Sequence, residues 1–287
     1  MTVTRIARKD FRDAVQSRAL WALVGAFVVL SLIASFAYVE APELFGEPEG
    51  ATFGGLILFT VGLLGLFVPI ASIVVCYKAV AGEREIGSIK LLMSLPTTRL
   101  HVFLGKVIGR SVVLVVGLGV GMIVGLLFGA ILLGEIDILA SLSLVAVTIV
   151  FVVVYASIMV GISASTGSTT RATTLALAFF VIAELVWDVI PMGILYLVSG
   201  FQLPTEVPNW TFTLMQVAPS TAYFSSVMAA LPDSGVVPNG AAETGVGGPP
   251  PGGDSIFLNP EFGYVVLGFW LVVPLAIGYY RFSTADI

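Results

Sequence analysis

The 287-residue chain is 57% hydrophobic and 11% charged, and its mean hydropathy of +1.04 excludes an ordinary soluble domain and points to an integral membrane protein. Segments of about ten alternating residues, which a β-barrel would need, are absent. One cysteine, Cys76, makes neither a disulfide framework nor a cysteine metal cluster, and the net charge of −5 argues against a nucleic-acid partner.

Residues 1–18 come first. Arg5, Arg8, Lys9, Arg12 and Arg18 mix with Asp10 and Asp13, while Ile6, Ala7, Phe11, Ala14 and Val15 fit one side of a helix. The spacing predicts an interfacial helix lying among lipid headgroups, with a solvated basic tail as the alternative. So much charge before a long apolar run does not suit a cleavable signal.

Six apolar runs follow: 19–39, 53–77, 107–133, 138–161, 172–190 and 262–280. Each is long enough to cross about 30 Å of hydrocarbon as a helix. All 13 Lys and Arg residues fall in 5–18, 78–110, Arg171 and Arg281, and the other connections carry only acids. Because cations are retained on the cytoplasmic side during insertion, both termini and the connection between spans two and three are expected inside the cell. The expected fold is all-α and polytopic, a single transmembrane domain over 1–287.

Within the third run, Gly117, Gly121, Gly125 and Gly129 recur every fourth residue and give a small-residue face for close helix packing. The partner helix is expected in the same chain, with a second copy as the alternative. In the fifth run, Glu184 and Asp188 share a helical face. Carboxylates at such depth are costly unless they pair, line a wet cavity or take up a proton, and no Lys or Arg lies at comparable depth. They are therefore candidates for the lining of a pathway. The alternative is a span that ends sooner and leaves Asp188 at the interface, just before Pro191.

Residues 191–261 form an external region. Its apolar pieces at 192–201, 210–215 and 217–230 are too short to cross and are expected to dip in and return, or to cap the outside. Half of residues 232–255 are Gly or Pro, so that stretch is expected to be a flexible loop. Asn209, Trp210 and Thr211 form a glycosylation sequon, a short pattern that often arises by chance.

Enzyme chemistry is not encoded in any motif. Gly105 and Lys106 are adjacent, but Leu100 stands where a phosphate loop requires Gly. His101, the single histidine, can build neither a histidine metal site nor a Ser-His-acid set.

The stretch "GEREIGSIKLLMSLPTTR", residues 82–99, carries Glu83, Arg84, Glu85 and Lys90 beside Ile86, Ile89, Leu92 and Met93. The spacing predicts an amphipathic helix stopped by Pro96, with Thr97 or Thr98 capping the next one. Such an element suits docking of a soluble partner; a loop helix resting on the membrane is the plainer alternative. The run "GEREIGSIKLLMSLPTTRLHVFLGK" resembles the signature region of ATP-binding-cassette (ABC) type-2 transporter permeases, in a subgroup similar to the permease of nitrous-oxide-reductase maturation. The basic N-terminal helix, six spans and re-entrant segment before the last span extend the likeness along nearly the whole chain.

The resemblance implies the transmembrane permease subunit of an exporter in the plasma membrane. Two copies, identical or closely paralogous, would pair in the bilayer, each docked on a cytoplasmic ABC ATPase. Glu83, Arg84, Glu85, Gly87, Ser88, Pro96 and Arg99 would belong to its coupling region, and ATP and Mg would bind the ATPase, leaving this chain without a cofactor. Two alternatives remain open at this level: an ion-gradient-driven secondary transporter using Glu184 and Asp188, and a membrane anchor that recruits a soluble partner without transporting.

Overall fold

The computed structural model describes residues 2–45, 51–89, 97–202, 204, 207–231, 257 and 259–285. Among these residues all regular structure is helical. Helix α1, Val3–Val15, leads into α2, Arg18–Phe45, and then α3, Phe53–Cys76. The short α4, Ala81–Glu85, precedes α5, Arg99–Leu133, and α6, Ile138–Ala164. Helix α7, Thr169–Phe180, continues as a π turn over Val181–Val186, and α8 follows at Val189–Val198. Two further short helices, α9 at Asn209–Met215 and α10 at Pro219–Ala230, come before α11, Phe262–Thr284. Six helical runs, beginning at Leu20, Phe53, Arg99, Ile138, Thr169 and Phe262, are long and apolar enough to cross a bilayer. The chain is a multi-pass α-helical membrane protein.

Local chemistry sets the helix ends. The side chains of Thr52, Thr98 and Asp137 accept hydrogen bonds from the backbone N–H groups of Gly55, His101 and Ala140, satisfying donors that a helix start leaves free. Gly134, at φ 73°, closes α5 in the left-handed conformation that glycine adopts without a Cβ penalty. The helix expected after a Thr97 or Thr98 cap starts at Arg99 behind Thr98 and runs unbroken into the third span, so Lys106 and Arg110 ride on it.

The expectation of one amphipathic helix across the Gly82 stretch is corrected. Helix α4 stops at Glu85, and Gly87 has φ 74° before a new helical turn begins at Ser88. Ile86 is consequently 78% exposed while Ile89 is buried, so the two do not share a face. Lys90, Leu92, Met93 and Pro96 lie outside the described residues, as do residues 232–255.

Helix α5 organises the packing. A side chain at Gly117, Gly121 or Gly125 would run into Val24, Phe27 or Ser31 of α2, and one at Gly129 into Leu56 of α3. The glycine face thus receives helices of the same chain. It also extends further back than 117: a Cβ at Gly105 would stand 2.7 Å from Ile6, and one at Gly109 would stand 2.9 Å from Asp10, so α1 lies against the first turns of α5. A second close crossing joins α6 to α11, where a Cβ on Gly278 would come within 2.6 Å of the Gly161 backbone. Helix α10 is buried against α11, α6 and α3, with the Tyr223 ring stacked 4.2 Å from Phe151 and its hydroxyl 2.8 Å from that of Thr148.

Candidate functional site

The bundle carries polar groups in two places. One is the end where α2 and α5 begin and α3, α6 and α11 finish, which holds the basic residues. Asp10 of α1 is buried beneath two cations of α5. Arg110 Nε lies 2.8 Å from one carboxylate oxygen and Nη2 donates to the other at 3.2 Å, while Lys106 Nζ is 3.7 Å away. The same Lys106 donates to Glu83 at 2.7 Å, and Arg110 also donates to the Val75 carbonyl at 2.8 Å. One charge lattice therefore ties α1, the end of α3, α4 and α5 together. Its burial makes these pairs far less exposed to screening than surface ion pairs.

The remaining E-R-E side chains are also committed within the chain. Arg84 reaches the carbonyls of Ala164 and Thr166 beyond the end of α6, at 3.4 and 3.1 Å. Glu85 accepts the Thr169 N–H at 3.0 Å at the start of α7, a favourable place for a carboxylate beside free backbone donors. The Thr169 hydroxyl and N–H hold the Glu85 carboxyl below its usual range. Ser88 donates to the Glu83 carbonyl at 3.4 Å. Arg99 donates to the carbonyls of Phe282, Ser283 and Ala285 at 2.8 to 2.9 Å and so closes the end of α11. Ser163 fastens the turn between α3 and α4, accepting from the N–H groups of Val80 and Ala81 and donating to the Tyr77 carbonyl.

The sequence position of Asp10 groups it with the solvated charges, whereas the structure puts it on the buried side of α1. The other charges of that helix, Arg5, Arg8, Lys9, Arg12 and Asp13, are exposed. Ser163 carries no sequence signal of its role.

The second polar place is in the other half of the bundle. A cavity of about 470 Å³ opens between α3, the π turn, α9 and α10. Glu184 and Asp188 both line it, so the shared face expected from their spacing is turned to one space. The π turn holds Glu184, and such turns, with one residue more than an α turn, recur at functional sites. Ser220 stands against the Glu184 carboxyl, yet Glu184 Oε1 is enclosed without a hydrogen-bond partner. Gln216, which the sequence did not single out, is 2% exposed and lines the same space, with both its amide nitrogen and oxygen unpartnered. Phe212 and Phe224 add apolar wall. The non-helical turn that carries Gln216 is held by two indoles: Trp187 donates to the Leu214 carbonyl at 2.8 Å and Trp270 to that of Val217 at 2.7 Å. Irregular backbone deep in a membrane protein needs such protein partners.

Fold and polar sites together define a multi-pass helical bundle with a polar cavity in one half and a charge lattice at one end. Comparison with known proteins sharpens this. The family model described as ABC-2 family transporter protein matches residues 4–287, and the chain belongs to that family. It is 29% identical over 222 residues, 74% of this chain and 77% of the relative, to a probable ABC transporter permease protein NosY of Pseudomonas aeruginosa. Over 113 residues, 39% of this chain and 40% of the relative, it is 31% identical to a protein of the same name from Stutzerimonas stutzeri. The chain is a permease subunit of an ABC transporter, a class in which ATP hydrolysis resides in a separate subunit.

Proposed function

We propose that this permease is one transmembrane half of an ATP-driven exporter in the plasma membrane. Two copies, identical or closely related, pair, and each takes a cytoplasmic ATPase at the segment 82–99, which acts as the coupling region. ATP and Mg bind that ATPase. The observation that carries the reading is the lattice through Glu83, Lys106, Asp10 and Arg110. A displacement imposed on α4 is handed to α5 and α1 through the Glu83–Lys106 and Asp10 ion pairs, and to α6 and α7 through Arg84 and Glu85. Rigid-body motion of packed helices is a usual way to convert such a displacement into an opened path. The exposed apolar Ile86 at the tip of α4 suits a protein contact.

Placement of both termini in the cytoplasm is supported by the basic residues gathered at that end. The exposed cations of α1 are suited to anionic headgroups, as an interfacial helix requires. Outward transport is supported by the position of the Glu184 cavity, in the half away from the coupling region.

The test is co-expression of the tagged chain with a phosphate-loop ABC ATPase subunit from its own genome. The wild type should co-purify with the ATPase and stimulate its turnover. The double variant Glu83→Lys, Glu85→Lys should still insert but lose that stimulation, because it sets a cation against Lys106 and another beside the N–H of Thr169. Normal co-purification and transport by the double variant would overturn the assignment.

A further inference from the structure

We propose that the cavity bounded by Glu184, Asp188 and Gln216 binds an organic cation of the amine type, with an apolar body and at least one N–H to donate. The inference deepens the exporter reading by naming a substrate class, and it rests on that reading for the cation's role as cargo. Binding itself does not require it.

Size comes first. At about 470 Å³ the space falls within the roughly 300–1,000 Å³ of small-molecule sites. It is also kept open by the sequence: a Cβ on Gly62, one of the lining residues, would meet nothing within 4 Å.

Charge comes next. Both ionisable groups of the lining are carboxylic acids, and no Lys, Arg or His joins them among the described residues. Inside a membrane protein such acids face one another, a cation or water, since a lone carboxylate there is costly. At the basic end of the same molecule the buried Asp10 meets two cations of the chain. Here the chain supplies none, so the cost is met by a proton, by water or by a cation that enters the cavity.

Hydrogen bonding is the independent observation. Gln216 is almost fully buried, and both of its amide atoms and Glu184 Oε1 lack partners. Buried polar atoms are nearly always satisfied, and each orphan costs on the order of 1–3 kcal/mol. The three orphans belong to two residues of one cavity lining and together form a cradle. Two of them, Glu184 Oε1 and Gln216 Oε1, accept hydrogen bonds and suit an ammonium group, while Gln216 Nε2 donates and can hold an oxygen or neutral nitrogen of the ligand. Water can hydrate the amide and the acids; an ammonium group supplies a counter-charge as well. The faces of Phe212 and Phe224 suit the apolar body and attract a cation.

The experiment uses the full-length chain in nanodiscs of neutral phosphatidylcholine, without ATPase or ATP. Dansylcadaverine, a fluorescent primary amine, is titrated beside its N-acetylated form, which keeps the apolar body and loses the charge; empty nanodiscs give the lipid background. The amine should bind at least about tenfold more tightly than the acetylated form, a difference of roughly 1.4 kcal/mol. Glu184→Gln should abolish that preference, and Gly62→Leu should weaken both probes by filling the space. Equal binding of the two probes to the wild type overturns the proposal, and that comparison needs no variant to fold. A preference that survives Glu184→Gln overturns it as well. Loss of the preference leaves ATPase coupling untouched, and failure of ATPase co-purification leaves the binding result standing, so the two readings fail separately.

Discussion

At the basic end, the buried carboxylate of Asp10 and that of Glu83 each have a cation within 3.7 Å, whereas in the other half Glu184 Oε1 and the whole amide of Gln216 are enclosed with no partner. Both regions lie within one bundle and hold acids. What differs is whether the chain supplies the counter-charge to its own acids. Where it does, helices of different sequence position become one stiff body, because moving any one of them exposes a buried charge. Where it does not, the contacts are left for something that arrives and leaves. A transporter subunit needs both conditions, the first to carry force and the second to let go of cargo.

The largest test of this contrast is to break the lattice at its centre. Asp10→Ala strands Arg110 under α1, and breaking one side of a buried pair costs about 3–5 kcal/mol. Unfolding of the purified protein in detergent should shift accordingly; a loss under about 1 kcal/mol would mean that the pairs are solvated and transmit little. A steric break should have a smaller effect. Gly278→Val presses a side chain on the Gly161 backbone and parts α6 from α11 near the end that holds Ser163 and Arg99. Overpacking of this kind costs about 1–3 kcal/mol, read by the same unfolding measurement. The smallest effect sharpens the comparison by its sign. Gln216→Leu removes two orphan atoms in exchange for an apolar group of similar size, so the empty protein should lose less than about 0.5 kcal/mol or gain stability. A loss as large as that of Asp10→Ala would show that Gln216 is satisfied by the fold after all.

Much of this architecture can be read in the residues. The hydropathy runs place the spans, because roughly 20 apolar residues have no other use in a chain of this composition. The Gly117 to Gly129 spacing predicts a close crossing, and α2 and α3 occupy it. Spacing alone brings Glu184 and Asp188 to one face. Other features leave no periodic trace. Asp10 belongs to an amphipathic helix, where a charge ordinarily faces water, and its burial follows from Gly105 and Gly109 on a helix far along the chain. The break at Gly87 is invisible because a lone glycine is tolerated inside helices. Gln216 sits between two short apolar pieces, too isolated for any pattern to mark. Only tertiary contact brings these residues to their roles.

The π turn at Val181–Val186 also bears on how this segment tolerates changes in length. Elsewhere in a span, losing a residue would swing everything downstream by roughly 100° about the helix axis and scramble its neighbours. Here the surplus residue is already looped into the turn, so trimming one position would merely relax it to an α-helix and leave α8 facing as before. Relatives one residue shorter at this point would keep their shape and lose the bulge that carries the Glu184 acid, a gain or loss of binding chemistry at little architectural risk.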